Sequence, residues 1–181
     1  YGGAGNDTFV LNADNANKLA AGVTGAQLAR IDGGSGIDTL SLSGTGILFN
    51  LNNIANQGGG SPGSASRIES IERIDITGTG NNRLTLSLND VLDMAGMNSF
   101  NNASGWADGT YNLAAGGVGG ISPEQRHQLV IDGNLGDVVN SSGWSSSVGT
   151  VTNGAVTYNV YNQGLYAQLL IDTAIATQNV L

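Results

Sequence analysis

Nine residues near the start of the chain, GGAGNDTFV (residues 2–10), return as GGSGIDTLS (residues 33–41) 31 positions further on. Both copies fit G-G-x-G-x-D-x-U-x, with Phe9 and Leu40 at the large apolar position U. Successive glycines permit a tight turn at positive φ that brings backbone carbonyls inward. One carboxylate per copy, from Asp7 or Asp38, joins them, and U anchors the turn to a strand. Such a segment has no place inside a helical bundle. It suits short strands joined by glycine turns.

Two looser copies follow. GTGNNRLTL (residues 78–86) aligns with residues 34–42, and Asn82 takes the Asp38 place. IDGNLGDVVN (residues 131–140) aligns with residues 31–41, one residue shorter, with Asp137 in that place. The successive Asp or Asn positions lie 31, 44 and 55 residues apart, so each unit must carry its own insertion.

Composition narrows the class. The 181 residues suit one domain with a buried core, and 40% hydrophobic residues in alternating patterns argue against disorder. Fourteen acids against six bases give a net charge of -8, which repels phosphate backbones and excludes nucleic acid as a partner. The absence of cysteine removes disulfides, thiolate metal sites and cysteine nucleophiles. No apolar run is long enough for a membrane span, and no signal peptide is present. Because the chain begins inside a repeat, it reads as an excerpt of something longer.

The expected architecture is all-β with a few short helices. Irregular parallel β-roll or solenoid-like units occupy residues 1–140, and an antiparallel β-hairpin cap occupies 141–181, within a single domain. Residues 12–30 read as partly helical, with a Thr24–Gln27 capping box and a stop at Gly33. Residues 56–66 read as an exposed loop, and RIESIERIDI as a turn or short helix running into a strand. NDVLDMAGM reads as a short helix from an Asn cap, and SPEQRHQ as a helix start at Ser122, Pro123 and Gln125. Asn153-Gly154 is a hairpin signal, and a second turn at 162–164 leads to a strand ending at Asp172.

The chemistry points to calcium. This ion takes about six to eight oxygen ligands, carboxylate or carbonyl. Two stacked turns offer about six, and one turn roughly half a site. The candidate ligands are Asp7 and Asp38, then Asp32, Asp132 and Asp137, with Asp75 and Asn82 behind them; Gly3 and Gly34 would contribute carbonyls.

No catalytic constellation accompanies them, so the chain reads as a non-enzyme. His127, the sole histidine, follows Arg126 on what reads as an exposed helix; H-E-x-x-H and G-x-S-x-G are absent. Asp90 and Asp93 read as surface acids, and Glu69 and Glu72 as a helix-turn face. Trp106, Tyr111, Trp144, Tyr158, Tyr161 and Tyr166 are candidates for stacking on sugars, with Tyr158 and Trp144 expected to pack the meander instead.

The two complete nonapeptides resemble the RTX (repeats-in-toxin) family, whose repeats form calcium-bound parallel β-rolls. The wider strings IERIDITGTGNNRLTLSLNDVLDM, LVIDGNLGDVVN and TYNVYNQGLYAQLLID look like domains in the C-terminal ligand-binding region of giant RTX adhesins of Gram-negative bacteria. The resemblance implies a secreted, cell-surface adhesion module exported by a type I system and folded by calcium outside the cell. Its partners would be calcium ions, neighbouring domains of the same adhesin, and surface glycans or peptides. The alternatives are a C-terminal accessory domain of a secreted RTX enzyme, or a glycan-binding module in its own right. The chain departs from the family in carrying single copies rather than tandem ones, and in Asn82.

Overall fold

The computed structural model describes residues 1–20, 29–55, 66–101, 104–108, 113 and 126–181. The Thr24–Gln27 capping box, residues 56–65 of the expected loop, Tyr111 and the helix start at Ser122 lie outside them. The described chain is mostly β.

It opens with β1 (Gly3–Ala4) and β2 (Thr8–Leu11), then helix α1 (Ala13–Ala20). Asn12 Oδ1 accepts the Asn15 N–H at 2.9 Å, which satisfies one free donor of the helix start. Ala16 and Leu19 are the side chains α1 buries. Next come β3 (Ile31–Asp32), β4 (Gly34–Ser35), β5 (Thr39–Leu42), β6 (Leu48–Asn50), β7 (Ile68–Glu69), β8 (Arg73–Asp75) and β9 (Arg83–Ser87). Helix α2 (Leu88–Met94) and β10 (Trp106–Asp108) follow. The chain closes with β11 (His127–Asp132), β12 (Val138–Ser142), β13 (Gly149–Asn153), β14 (Val156–Gln163), β15 (Ala167–Asp172) and β16 (Thr177–Val180).

Eight strands form one sheet in the order β10-β13-β14-β15-β11-β8-β5-β2, antiparallel from β10 to β15 and parallel from β15 to β2. A second, wholly parallel sheet runs β16-β12-β9-β6. Four times the chain passes from a strand of the first sheet to one of the second: β5 to β6, β8 to β9, β11 to β12, β15 to β16. Two further short parallel pairs, β1–β4 and β3–β7, stand outside these two sheets.

Alternation explains the core. Leu40, Ile74, Ile131 and Ile171 from the large sheet meet Phe49, Leu84, Leu86 and Val139 from the small one in a single buried cluster. Strands β11 and β15 carry continuous apolar runs because the outer face is covered too: Val130 and Leu170 pack with Trp106, Val151, Tyr158 and Val160. The hairpin at Asn153-Gly154 and the turn before β15 form as the sequence expects, with Gly154 at φ 59. The meander shares β15 with the parallel strands, so both belong to one sheet. No helix among the described residues is long and apolar enough to cross a membrane.

Several local expectations change. Residues 68–75 hold two strands, β7 and β8, broken at Ser70 (φ 54), because Ile68, Ile71, Ile74 and Ile76 are all buried. Helix α2 starts from Ser87, not Asn89: the Ser87 hydroxyl and Asp90 carboxylate form a capping box, which buries Asp90 rather than leaving it on the surface. His127 opens strand β11, and its Nδ1 lies 2.6 Å from the Ala95 carbonyl. A carbonyl only accepts, so Nδ1 carries the proton.

Candidate metal centre

The two complete nonapeptides lie directly on one another. Gly3 pairs with Gly34, Thr8 with Thr39 and Phe9 with Leu40, so the 31-residue repeat is also the register of the stack. Gly2 N–H donates to the Asp32 carbonyl at 2.9 Å, Gly3 N–H to Gly33 at 3.0 Å and Gly5 N–H to Ser35 at 2.8 Å. Asn6 Oδ1 accepts the Ile37 N–H at 2.9 Å.

The aspartates continue this ladder. The Asp7 N–H donates to Asp38 Oδ1 at 2.7 Å, and the Asp38 N–H donates to Glu72 Oε2 at 2.9 Å. Glu72 therefore stands in the third unit where Asp7 and Asp38 stand in the first two. The third turn is shorter: six residues separate Asp32 from Thr39, but only three separate their partners Glu69 and Arg73. Burial pushes the Glu72 carboxyl above the ordinary carboxylate range, and the Asp38 charge adds to the rise against the Asp38 and Gly96 N–H donors.

The second carboxylate oxygens are different. Asp7 Oδ2 and Asp38 Oδ2 are buried without a hydrogen-bond partner. Each lies beside a glycine whose open side is also bordered by a backbone carbonyl of the next unit. An ideal Cβ placed on Gly2 would meet Gly33 O at 2.4 Å and Asp7 Oδ2 at 2.6 Å; one on Gly33 would meet Ser70 O at 2.0 Å and Asp38 Oδ2 at 2.6 Å. The glycines are thus required for room. At Gly2 and at Gly33 a partnerless carboxylate oxygen and a carbonyl oxygen thus border the same small space, one that a bound cation would satisfy.

The looser copies stack elsewhere, at the entrance to the small sheet. The Ile47 N–H donates to Asn82 Oδ1 at 2.9 Å, and the Asn82 N–H to Asp137 Oδ1 at 2.7 Å. Here the same cradle is closed by hydrogen bonds. A Cβ on Gly78 would meet Gly44 O at 2.3 Å and Asn82 Nδ2 at 2.5 Å. That amide donates to the carbonyls of Ile76 and Gly44 at 3.0 and 3.2 Å. Asp137 Oδ2 accepts the Asn134 N–H at 2.8 Å. Asn82 therefore does with two N–H bonds what Asp7 and Asp38 cannot do.

The other expected ligands are engaged apart from the stack. Asp75 accepts from Thr77 N–H and hydroxyl and from the Ser41 hydroxyl. Asp132 is held by the Arg73 guanidinium and by the Tyr158 hydroxyl at 2.7 Å. Burial and then the Asp132 hydrogen bond push the Tyr158 phenol above its usual range. The Tyr158 hydroxyl also accepts from Arg73 Nη2 at 3.2 Å, so Tyr158→Phe is expected to lose about 2–3 kcal/mol of stability in urea denaturation, the worth of hydrogen bonds to charged groups.

Asp32 contributes its carbonyl to Gly2 N–H, and Gly3 O points at Gly34, so the carbonyls beside the two carboxylates are those of Gly33 and Ser70. Gly33, Ser70 and Glu72 were not legible as a set. Among the described residues no three His, Asp or Glu side chains gather as a metal site would need; a turn-built site uses carbonyls for most of its oxygens. Trp106, Trp144, Tyr158 and Tyr161 are buried, and Tyr166 is exposed.

The chain matches no protein-family model, no curated protein and no solved structure.

Proposed function

We propose that the chain is a calcium-stabilised structural and adhesion module of a large secreted bacterial protein of the RTX adhesin kind. One observation carries the reading: in the two stacked nonapeptides, a buried carboxylate oxygen without a partner and a backbone carbonyl border the same space, which a glycine keeps clear. Asp7 Oδ2 and the Gly33 carbonyl are hard oxygen donors of the type calcium prefers. A bound calcium ion supplies positive charge and accepts several oxygen ligands. The chain's own part is to hold these donors: the Asp38 carboxylate fixes the Asp7 backbone, and glycine leaves the space beside Gly2 free.

On this reading the alternation between two parallel sheets is a short, irregular β-solenoid, and the role is structural rather than catalytic. Support comes from the parallel register of β2, β5, β8, β11 and β15 and of β6, β9, β12 and β16. Carboxylates that repel one another until neutralised keep the first units loose where calcium is scarce and order them where it is abundant. That suits export unfolded and folding at the cell surface, with neighbouring domains of the same adhesin as partners.

The test is thermal unfolding and limited trypsin digestion of the 181-residue protein in chelator and in millimolar calcium. At free calcium about a hundredfold above Kd, stabilisation of about 2.7 kcal/mol is expected, a rise in Tm of roughly 5–10 °C. In chelator the first cut is expected after Arg30, three residues before the unneutralised turn at Gly33, while the Asn82–Asp137 ladder stays protected. Superimposable melts and digests in the two conditions would overturn the reading.

A further inference from the structure

We infer that the free edge of β4 pairs with an extended peptide segment of a partner protein, one that carries a lysine or arginine side chain, where the third unit lacks a full turn. The inference stands on the shape of the second and third units and needs no bound ion. Between the pairs Asp32–Glu69 and Thr39–Arg73, the second unit has six residues and the third has three. Strand β4 lies within those six, and β1 is the one strand it pairs with among the described residues. The third turn leaves it: the Ile71 N–H donates instead to the Met94 carbonyl, at the end of α2, at 2.9 Å.

The first two units show what that edge has lost. Gly3 and Gly5 donate their N–H groups across to the Gly33 and Ser35 carbonyls of the second unit. Gly34 and Gly36 hold the same motif positions, 31 residues on. No backbone carbonyl of the third unit, among the described residues, receives their N–H groups. Both glycines are exposed, and both line a cleft of ≈ 500 Å³. An unpaired edge of this kind accepts an added strand through main-chain hydrogen bonds.

The rest of the cleft selects the side chain. Its volume falls within the range of ordinary ligand sites, about 300–1,000 Å³. Glu69, Glu72 and Asp93 line it, and among the described residues no basic side chain does; Arg30 pairs with Glu69 from outside that lining. A peptide lysine or arginine complements these carboxylates, an acidic side chain is repelled, and a neutral sugar leaves their charge unmatched. Met97, 54% exposed, belongs to the same lining and offers an apolar surface for the stem of the basic side chain. Backbone donors from Gly34 and Gly36, a carboxylate lining and one apolar contact together describe a peptide strand rather than a free cation.

The probe is the capped peptide acetyl-Thr-Val-Lys-Val-Thr-amide, whose β-branched residues favour an extended backbone. It is titrated at millimolar concentration into the isotope-labelled 181-residue protein in millimolar calcium, with amide signals followed by NMR. The Gly34 and Gly36 amide signals are expected to move and their hydrogen exchange to slow, since these N–H groups gain carbonyl acceptors. The same peptide with glutamate in place of lysine is expected to bind at least about tenfold more weakly. Glu69→Gln, at a partly exposed position, is expected to weaken the lysine peptide by roughly two- to fivefold, with its melting temperature showing that the variant is folded. Gly34 and Gly36 signals that stay still, or lysine and glutamate peptides that bind alike, would overturn the inference. So would Nα-acetyl-lysine amide binding as tightly as the peptide, which would mean a cation pocket without strand pairing. A protein that takes up no calcium but shows these shifts loses the calcium reading and keeps this one.

Discussion

In chelator, Asn82→Asp is expected to lose about 3–5 kcal/mol of folding stability, and millimolar calcium to return most of it. Asn82 is 2% exposed, and its amide nitrogen sits between the carbonyls of Ile76 and Gly44. Oδ1 of the introduced carboxyl would keep the Ile47 N–H. Its other oxygen would face two carbonyls with no donor, beside the Asp137 carboxylate that already holds the Asn82 backbone. The substitution therefore recreates the condition of Asp7 and Asp38 at a place where the native chain avoids it. Urea denaturation with and without calcium measures both halves. Because burial and Asp137 would raise the folded-state pKa of the introduced acid, the loss in chelator is present above that raised pKa and fades as pH falls through it. Equal losses with and without calcium would show that the cradle cannot accept an ion.

Local signals carried much of the architecture. Asn153-Gly154 between alternating apolar runs specifies its hairpin within a dozen residues, and Leu84 and Leu86 face the core as period two requires. The 31-residue repeat specified the pairing of the first two units, since the same residues recur in the same order. What the sequence hid is partnership at long range. Asn82 and Asp137 look like weaker copies of Asp38, yet they stack on each other at the small sheet, because the units alternate between sheets and the motif occurs at both entrances. Gly44–Gly46 belongs to that second series with Ile47 in the acid's place, a match masked by the missing acid. Glu69 and Glu72 form no helix-turn face: Glu69 ends a strand and Glu72 is buried at the acid position of a turn that is three residues shorter and carries none of the glycines that mark the motif. Asp132 followed the same Ile-Asp-Gly string as Asp32, but its carboxylate answers to Arg73 and Tyr158, which approach from strands the string does not mention.

The stacking itself can be weighed by a pair of substitutions at one motif position. Gly3 and Gly34 have the same backbone, φ 99 and φ 95, a region that side chains resist. A Cβ on Gly3 meets nothing within 4 Å, whereas a Cβ on Gly34 would lie 2.1 Å from the Gly3 carbonyl oxygen. Gly3→Ala is therefore expected to lose only the conformational term, about 1–2 kcal/mol. Gly34→Ala carries that term and must also push apart two units that are hydrogen-bonded on either side of the contact, from Gly3 N–H to Gly33 and from Gly5 N–H to Ser35. A total beyond about 4 kcal/mol is expected, at the exceptional end for one substitution. Because the displaced backbone includes Gly33, whose carbonyl borders the space beside Gly2 with Asp7 Oδ2, Gly34→Ala should also weaken calcium uptake in that space, and Gly3→Ala should not. Denaturation midpoints and calcium titrations of the two variants decide it: equal losses would mean that the opening turns do not bear on each other in solution.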